Sequence, residues 1–137
     1  MKFFKIILFA VAMNGFSMLS PAAFESKTGE FTDADPGHQG SGLATLAKQN
    51  GKFVLTFEDF YVTPGPDLYV MLVKNPTPKT SQAVLESDSL ELAILKSPSG
   101  GQTYQLNLAM DIDPSEFGSV VIWCKQYSVL FAYAELN

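Results

Sequence analysis

The sequence contains no arginine and only one cysteine, Cys124. Nine lysines stand against fourteen acidic residues, which gives a formal net charge of -5. Nucleic acid is therefore a poor partner, because an acidic chain repels phosphate and no guanidinium is available to pair with phosphate or guanine. The single cysteine excludes an intramolecular disulfide and any zinc or iron–sulfur site built from several cysteines.

The motifs of common enzyme classes are also absent. The sequence has no Cys-x-x-Cys-His haem-attachment motif, no Gly-x-Ser-x-Gly, no His-Glu-x-x-His and no glycine-rich phosphate loop. Hydrolase and nucleotide-dependent activities consequently have no support. Internal repeats and low-complexity tracts are missing too, and 47% of the 137 residues are hydrophobic, so the composition indicates one globular domain.

The first residues differ from the rest of the chain. Lys2 and Lys5 flank an apolar stretch from Ile6 to Met13, and a run of small residues, Ser20 to Ala23, follows. This pattern predicts a signal peptide over residues 1–22 and a mature domain over residues 23–137, exported to the periplasm or outside the cell. After removal of the signal peptide no apolar run reaches the ~20 residues of a membrane span. An uncleaved amphipathic anchor is the alternative.

Short apolar segments with turn residues between them make up the mature chain. Asn50-Gly51 lies between two alternating segments and predicts a hairpin tip. Leu68 to Val73 and Ser119 to Trp123 are apolar at almost every position, which is typical of central strands buried on both faces. With an opening strand near Phe31 the count is about eight strands, which predicts an all-β antiparallel sandwich or small barrel.

One segment is ambiguous. Ser87 to Lys96 contains four spaced aliphatic residues that satisfy either a strand or a short helix. Its secondary structure stays open at this point.

Six spaced motifs resemble those of the DM-thirteen family, a small β-rich extracytoplasmic module associated with electron transfer. They are Phe31 with His38 and Ser41-Gly42-x-Ala44, Leu55-x-Phe57-Glu58-Asp59-Phe60, Gly65-Pro66-Asp67-Leu68-x-Val70-x-Leu72, Gly101-Gln102-x-Tyr104, Ser119 to Cys124, and Phe131-x-x-Ala134-x-Leu136. Ala132 departs from the glycine that the family pattern usually has there, and Lys125-Gln126-Tyr127 departs from a usual basic residue and phenylalanine.

The resemblance implies a redox role for the single cysteine, as a bare thiol or as the ligand of a prosthetic group such as haem. Because the domain stands alone in this sequence, it also implies a separate redox partner protein. His38 and Asp67 become candidate ligands or neighbours of the sulfur.

Cys124 ends an apolar strand and precedes polar residues, so we expect its sulfur at an accessible end of the sheet. Side-chain alternation places it on the face of Val120 and Ile122, opposite Trp123. An unpaired thiol in an oxidising compartment needs either burial or a use. The alternative is a small, inert core residue.

His38 is the only histidine and lies in a glycine-rich loop. It is a candidate metal or haem ligand or a base for the thiol, whereas a loop histidine bonded to backbone is the simpler interpretation. Asp67 follows Gly65-Pro66 and is either a turn residue or a ligand.

Other residues invite a ligand role less strongly. Asp33, Asp35, Asp111 and Asp113 form spaced acidic pairs, but they lack the glycine and glutamate of a tight calcium loop, so solvated loops are favoured and no metal site is predicted. Met71, Met110 and Tyr104 are ordinary core or edge residues unless a cavity lies beside them.

Two functions from different classes remain. The first is an exported redox or electron-transfer module that acts through Cys124. The second is a non-enzymatic binding module that uses the long loops at one end of the β-domain. They differ in whether the function survives the exchange Cys124→Ser.

Overall fold

Eight antiparallel strands form one sheet that curls into a nearly closed barrel, with the strand order β5-β4-β7-β8-β1-β2-β3-β6. The computed structural model describes Phe24 and residues 26–137, so the predicted signal peptide lies outside the described residues. The strands are β1 Lys27–Asp33, β2 Gly40–Gln49, β3 Lys52–Val62, β4 Leu68–Val73, β5 Ser89–Ile94, β6 Gln102–Gln105, β7 Ser119–Cys124 and β8 Val129–Glu135. The prediction of an all-β antiparallel fold of about eight strands is confirmed.

The hairpin between β2 and β3 turns where the sequence predicts. Asn50 has φ 51° and Gly51 has φ 78°, both in the left-handed region that a two-residue turn requires. Gln49 and Lys52 close the turn as a directly opposed pair. The pairing of β2 with β3 then runs the length of both strands, interrupted only near Gly42.

Strand β1 pairs with two different strands, one along each part of its length. Residues 27–30 pair with β2, whereas residues 31–33 pair with β8. At the changeover Gly29 lies so close to β8 that a Cβ atom there would overlap the carbonyl oxygen of Glu135. The close approach of the two backbones therefore depends on the missing side chain.

The barrel interior holds the main hydrophobic core, and strands β4 and β7 are buried on both faces, as their continuous apolar sequences predict. Val70, Leu72, Val120 and Ile122 point into the interior. The alternate residues of the same strands pack outside the barrel in a second cluster, which comprises Met71, Val73, Val84, Val121, Trp123, Leu130 and Tyr133.

A short helix, α1 (Ser81–Glu86), covers part of this outer face. The side chain of Thr80 accepts a hydrogen bond from the Ala83 N–H and begins the helix, while Val84 is buried. The sequence did not predict α1, and a 3₁₀ turn at Pro114–Glu116 was also missed. The ambiguous segment after α1 is strand β5, so the helical alternative for Ser87 to Lys96 is wrong.

The barrel is joined across its seam, between edge strands β5 and β6, by side-chain contacts. Lys96, just after β5, donates its backbone N–H to the Tyr104 hydroxyl at 2.9 Å, and that hydroxyl donates to the side chain of Gln102. Burial raises the pKa of Tyr104. Tyr104 is therefore a core residue at the seam, and Met71 is buried as well, whereas Met110 is fully exposed.

Among the described residues, no helix is long and apolar enough to cross a membrane.

Candidate functional site

One end of the barrel, here called the upper end, gathers the three residues that the sequence selects as site candidates. Cys124 closes β7, and its direct partners Leu68 and Val129 are the first residues of the two neighbouring strands. Asp67 immediately precedes Leu68. The β1–β2 loop with His38 lies at the same end, because β1 is antiparallel to β8 and its last residues therefore run towards the start of β8. The sequence therefore selected residues that the fold brings to one region.

The sulfur of Cys124 lies inside this end and is covered. The residue is 1% exposed, and its S–H donates a hydrogen bond to the carbonyl oxygen of Pro66 at 3.1 Å. It faces the interior with Val120 and Ile122, as the alternation predicts. The position at the end of a strand is correct, but the expectation that the sulfur is accessible there is wrong. The β3–β4 connection passes over the strand end and shields it.

We call that connection, Thr63–Asp67, the strap. Pro64, Gly65, Pro66 and Asp67 are exposed to solvent, so the segment that the thiol contacts is itself at the surface. Gly65 packs against the ring of Phe131, since a Cβ atom at Gly65 would lie 2.5 Å from a ring carbon. The strap therefore follows the barrel closely only because Gly65 has no side chain.

The strap ends at Asp67, and the main chain of this residue attaches the strap to the barrel. It has φ 59°, an unusual value for a residue other than glycine, and its carbonyl oxygen accepts a hydrogen bond from the Lys125 N–H at 3.0 Å. The sequence-based alternative of a turn residue that caps the adjoining strands matches this arrangement. The side chain of Asp67 lies on the exposed side of the turn.

His38 packs against the ring of Phe131. Its ring centroid lies 4.4 Å from that of Phe131, and its Nδ1 lies 2.9 Å from both carboxylate oxygens of Asp35. The hydrogen bond from His38 holds the pKa of Asp35 below its usual value. A carboxylate in this position fixes the orientation of the imidazole ring, as it does for metal-binding or catalytic histidines.

The three candidate residues lie at the same end of the barrel but are not joined by hydrogen bonds. Among the described residues, the side chains of Cys124, His38 and Asp67 form no hydrogen bond with one another: the histidine bonds to Asp35 and the thiol bonds to Pro66. His38 and Gly65 of the strap both pack against the ring of Phe131. The structure therefore gives the histidine no direct contact through which it could act as a base for the thiol.

The cation nearest in sequence to the thiol is already paired. The Lys125 ammonium lies 3.2 Å from the Glu91 carboxylate and 4.8 Å from the centre of the Tyr69 ring. The hydrogen bond with Glu91 raises the pKa of Lys125. Because this side chain extends along the outer face, its charge is directed away from the interior where the sulfur lies.

The family model described as "Electron transfer DM13" matches residues 30–136, which include all eight strands except the start of β1. The chain belongs to the DM13 family. The match covers the strap, His38, Asp67 and Cys124, and it supports a redox or electron-transfer role in general terms. No curated protein and no solved structure matches the chain.

The upper end of this DM13 domain does not fit a haem as it stands. The Cys124 sulfur is covered, and its S–H is used by Pro66. The nearest groove along the strap has a volume of about 240 Å³, and its lining includes Asp67, Ile94 and Lys96 but not Cys124. That volume is below the roughly 300 Å³ at which pockets for drug-sized ligands begin. We therefore derive no chemistry through a haem.

Three of the four paired aspartates, Asp33, Asp35 and Asp113, have local structural roles in the DM13 domain. Asp33 accepts a hydrogen bond from the Gly40 N–H, and Asp113 caps the 3₁₀ turn through Ser115, whose hydroxyl lowers the pKa of that carboxyl group. Asp35 bonds to Gly37 and His38. Within Phe24 and residues 26–137, no group of three or more His, Cys, Asp or Glu side chains could hold a metal ion.

Sequence reasoning missed the residues that shield the thiol: Pro66, which accepts its hydrogen, and Gly65 and Phe131, which hold the strap down. The sequence signal that could have found them is Pro64-Gly65-Pro66. Two prolines around one glycine are a signal for a stiff segment that follows a surface closely. Which surface it follows is decided by the fold.

Proposed function

We propose that this DM13 domain is an exported redox module in which the thiol of Cys124 is the reacting group. The observation that carries the proposal is the position of the sulfur, which is buried at a strand end and contacts the Pro66 carbonyl oxygen of the exposed strap at 3.1 Å. A cysteine with a purely packing role would be expected deeper in the core. Here the sulfur lies under a loop, and loops are where proteins commonly carry function.

The absence of a second cysteine constrains the chemistry. Cys124 is the only cysteine of the chain, so any disulfide that it forms joins the domain to a second molecule. In such an exchange the Cys124 thiolate attacks a disulfide of a partner, the new S–S bond forms as the partner's bond breaks, and the partner's other sulfur leaves as a thiolate. The thiol proton is released to solvent. A separate redox partner is therefore part of the proposal.

We expect Cys124→Ser to abolish the function in the exporting cell as completely as deletion of the domain. Serine keeps the size and the hydrogen bond to Pro66 but cannot exchange disulfides. Gln126→Ser, an exposed position two residues further along, is the matched control and should retain function. The readout is the covalent complex that the domain forms with its partner, observed on non-reducing gels of protein taken from its own compartment.

Retention of full function by Cys124→Ser would remove the redox proposal. An absorption spectrum and a thiol count on the same purified sample report directly whether a prosthetic group occupies the sulfur.

The second candidate is a binding module. The groove beside the strap favours it, because an acid, Asp67, and a base, Lys96, flank apolar walls that include Ile94, which is largely exposed. Opposite charges around an apolar floor are suited to a small amphipathic ligand. This candidate predicts full function in Cys124→Ser and loss of function in Lys96→Ala, so the two proposals have opposite outcomes for the cysteine variant.

Export is proposed from the signal-peptide pattern of residues 1–22. The intact mass of protein recovered from outside the cytoplasm should correspond to a chain that begins at Ala23 or Phe24. A mass that retains Met1 would contradict the proposal and leave the uncleaved anchor as its alternative.

A further inference from the structure

We propose that the strap, Thr63–Asp67, is a lid over Cys124 and that the thiol itself is the latch that holds it closed. This inference deepens the proposed function. It rests on that function in one respect, namely that a redox partner needs access to the sulfur. It depends on how the strap is attached to the barrel.

The two ends of the strap are attached by backbone. Thr63 donates its N–H to the Gln39 carbonyl oxygen at 2.9 Å, and Gln39 donates its own N–H to the Thr63 hydroxyl at 2.8 Å. At the other end the Lys125 N–H donates to the Asp67 carbonyl oxygen. These ends are fixed points about which the middle of the strap can move.

The middle of the strap is attached differently. Pro64 and Pro66 have no N–H to donate, so this part of the chain cannot form an ordinary backbone ladder. Two contacts hold it: Gly65 against the Phe131 ring, and the Pro66 carbonyl oxygen on the Cys124 thiol. An exposed segment with few attachments can open locally, and the free energy of this opening is far below that of global unfolding.

The thiol contact depends on the chemical state of the sulfur. A neutral thiol is a weak donor and satisfies the carbonyl oxygen. Once the sulfur is bonded to a second sulfur or to a carbon atom, it has no hydrogen to donate to the oxygen that it contacts at 3.1 Å. The carbonyl oxygen of Pro66 then loses its donor, and the group added to the sulfur needs the space that the closed strap fills. The modified form of the sulfur therefore favours the open strap.

The latch couples reaction to a change of surface. While the thiol is protonated, the strap covers it and the rim of the upper end keeps its closed shape. When the sulfur is modified, the exposed segment of residues 64–67 moves away from it. A partner that binds the rim would thus respond to the chemical state of the sulfur, although the sulfur is inaccessible to that partner while the strap is closed.

Thiol labelling by an uncharged alkylating reagent, iodoacetamide, tests the lid in the intact mature protein. We expect slow labelling of the parent protein at a rate that is insensitive to low denaturant, because a local opening exposes little additional surface. Gly65→Ala places a Cβ atom against Phe131 and should raise the labelling rate about tenfold, which corresponds to ~1.4 kcal/mol. Phe131→Leu, which removes the ring from beneath Gly65, is a second variant with the same expected direction.

Gly101→Ala is the matched control. It is a glycine of the same end of the barrel, but a Cβ atom there would lie at an ordinary 3.6 Å from its nearest neighbour, so its labelling rate should equal that of the parent. The latch is tested separately by hydrogen exchange at the Thr63 and Lys125 amides, whose hydrogen bonds to the Gln39 and Asp67 carbonyl oxygens attach the two ends of the strap. Cys124→Ala, without a donor, should exchange faster than the parent, whereas Cys124→Ser, with a hydroxyl donor, should not.

Two results would overturn the inference. One is a labelling rate that rises in every variant as the free energy of global unfolding falls. That result would mean that only global unfolding exposes the sulfur. The other is identical amide exchange in Cys124→Ala and Cys124→Ser. Neither result bears on whether Cys124 forms a covalent complex with a partner, so failure of the lid and failure of the redox proposal are distinguishable.

Discussion

Replacing Gly29 by alanine should lower the free energy of unfolding by about 3 kcal/mol or more, the upper part of the range for overpacked sites. The new methyl group would overlap the Glu135 carbonyl oxygen, and this neighbour is backbone within a strand, which cannot swing aside as a flexible side chain does. β1 and β8 would have to separate where β1 passes from one pairing partner to the other. The measurement is the midpoint of denaturant-induced unfolding, with tryptophan fluorescence as the signal.

Gly101→Ala is again the control, with an expected change within about 0.5 kcal/mol, as for substitutions that disturb no packed feature. Equal midpoints for the two alanine variants would show that the β1–β8 approach is not a tight contact. Both residues are glycines without a positive φ, so the comparison isolates the steric term.

Phe57→Ala should destabilise the domain by about 3–5 kcal/mol, the range for truncating a buried phenylalanine. Phe57 is 0% exposed and its ring contacts three other aromatic rings, those of Phe31, Phe60 and Tyr104, at centroid separations of 4.9, 4.8 and 5.5 Å. The loss combines the transfer of apolar surface with a cavity that three rings on three strands cannot readily fill. Equilibrium unfolding in urea measures it.

Tyr127→Ala provides the comparison for an aromatic residue outside the core. Tyr127 is 64% exposed in the turn between β7 and β8, so its removal should change stability by less than about 0.5 kcal/mol. A loss for Phe57→Ala no larger than that for Tyr127→Ala would contradict the assignment of Phe57 to the centre of the core.

The strands were predictable because their signals are local. The Asn50-Gly51 turn and the alternation of Leu55 and Phe57 with Thr56 each depend on neighbouring residues, and periodicity records them directly. The closure of the sheet was not decided by the sequence, which left sandwich and barrel open. It depends on β1 pairing with both β2 and β8, a contact between the two ends of the domain. Helix α1 was missed because six residues show barely two turns of a pattern.

The site was predictable in position but not in environment. An apolar strand followed by polar residues fixes Cys124 at a strand end. The cover over it comes from Pro66, which lies far earlier in the chain and reaches the sulfur only through the β4–β7 pairing. The surroundings of His38 were also out of reach of local reasoning, because the ring packs against Phe131, which lies far along the chain.

The double pairing of β1 also has a consequence for how the domain acquires its structure. Phe31, near the beginning of the folded domain, is opposite Ala134, near its end, and the Thr28 and Asn137 backbones exchange hydrogen bonds. Contacts between residues so distant in sequence form slowly, because the entropy of closing the loop is lost before the contact is gained. The contacts of β1 with β8 can therefore form only after β8 has been synthesised. The described domain consequently completes its barrel at the end of its synthesis or later.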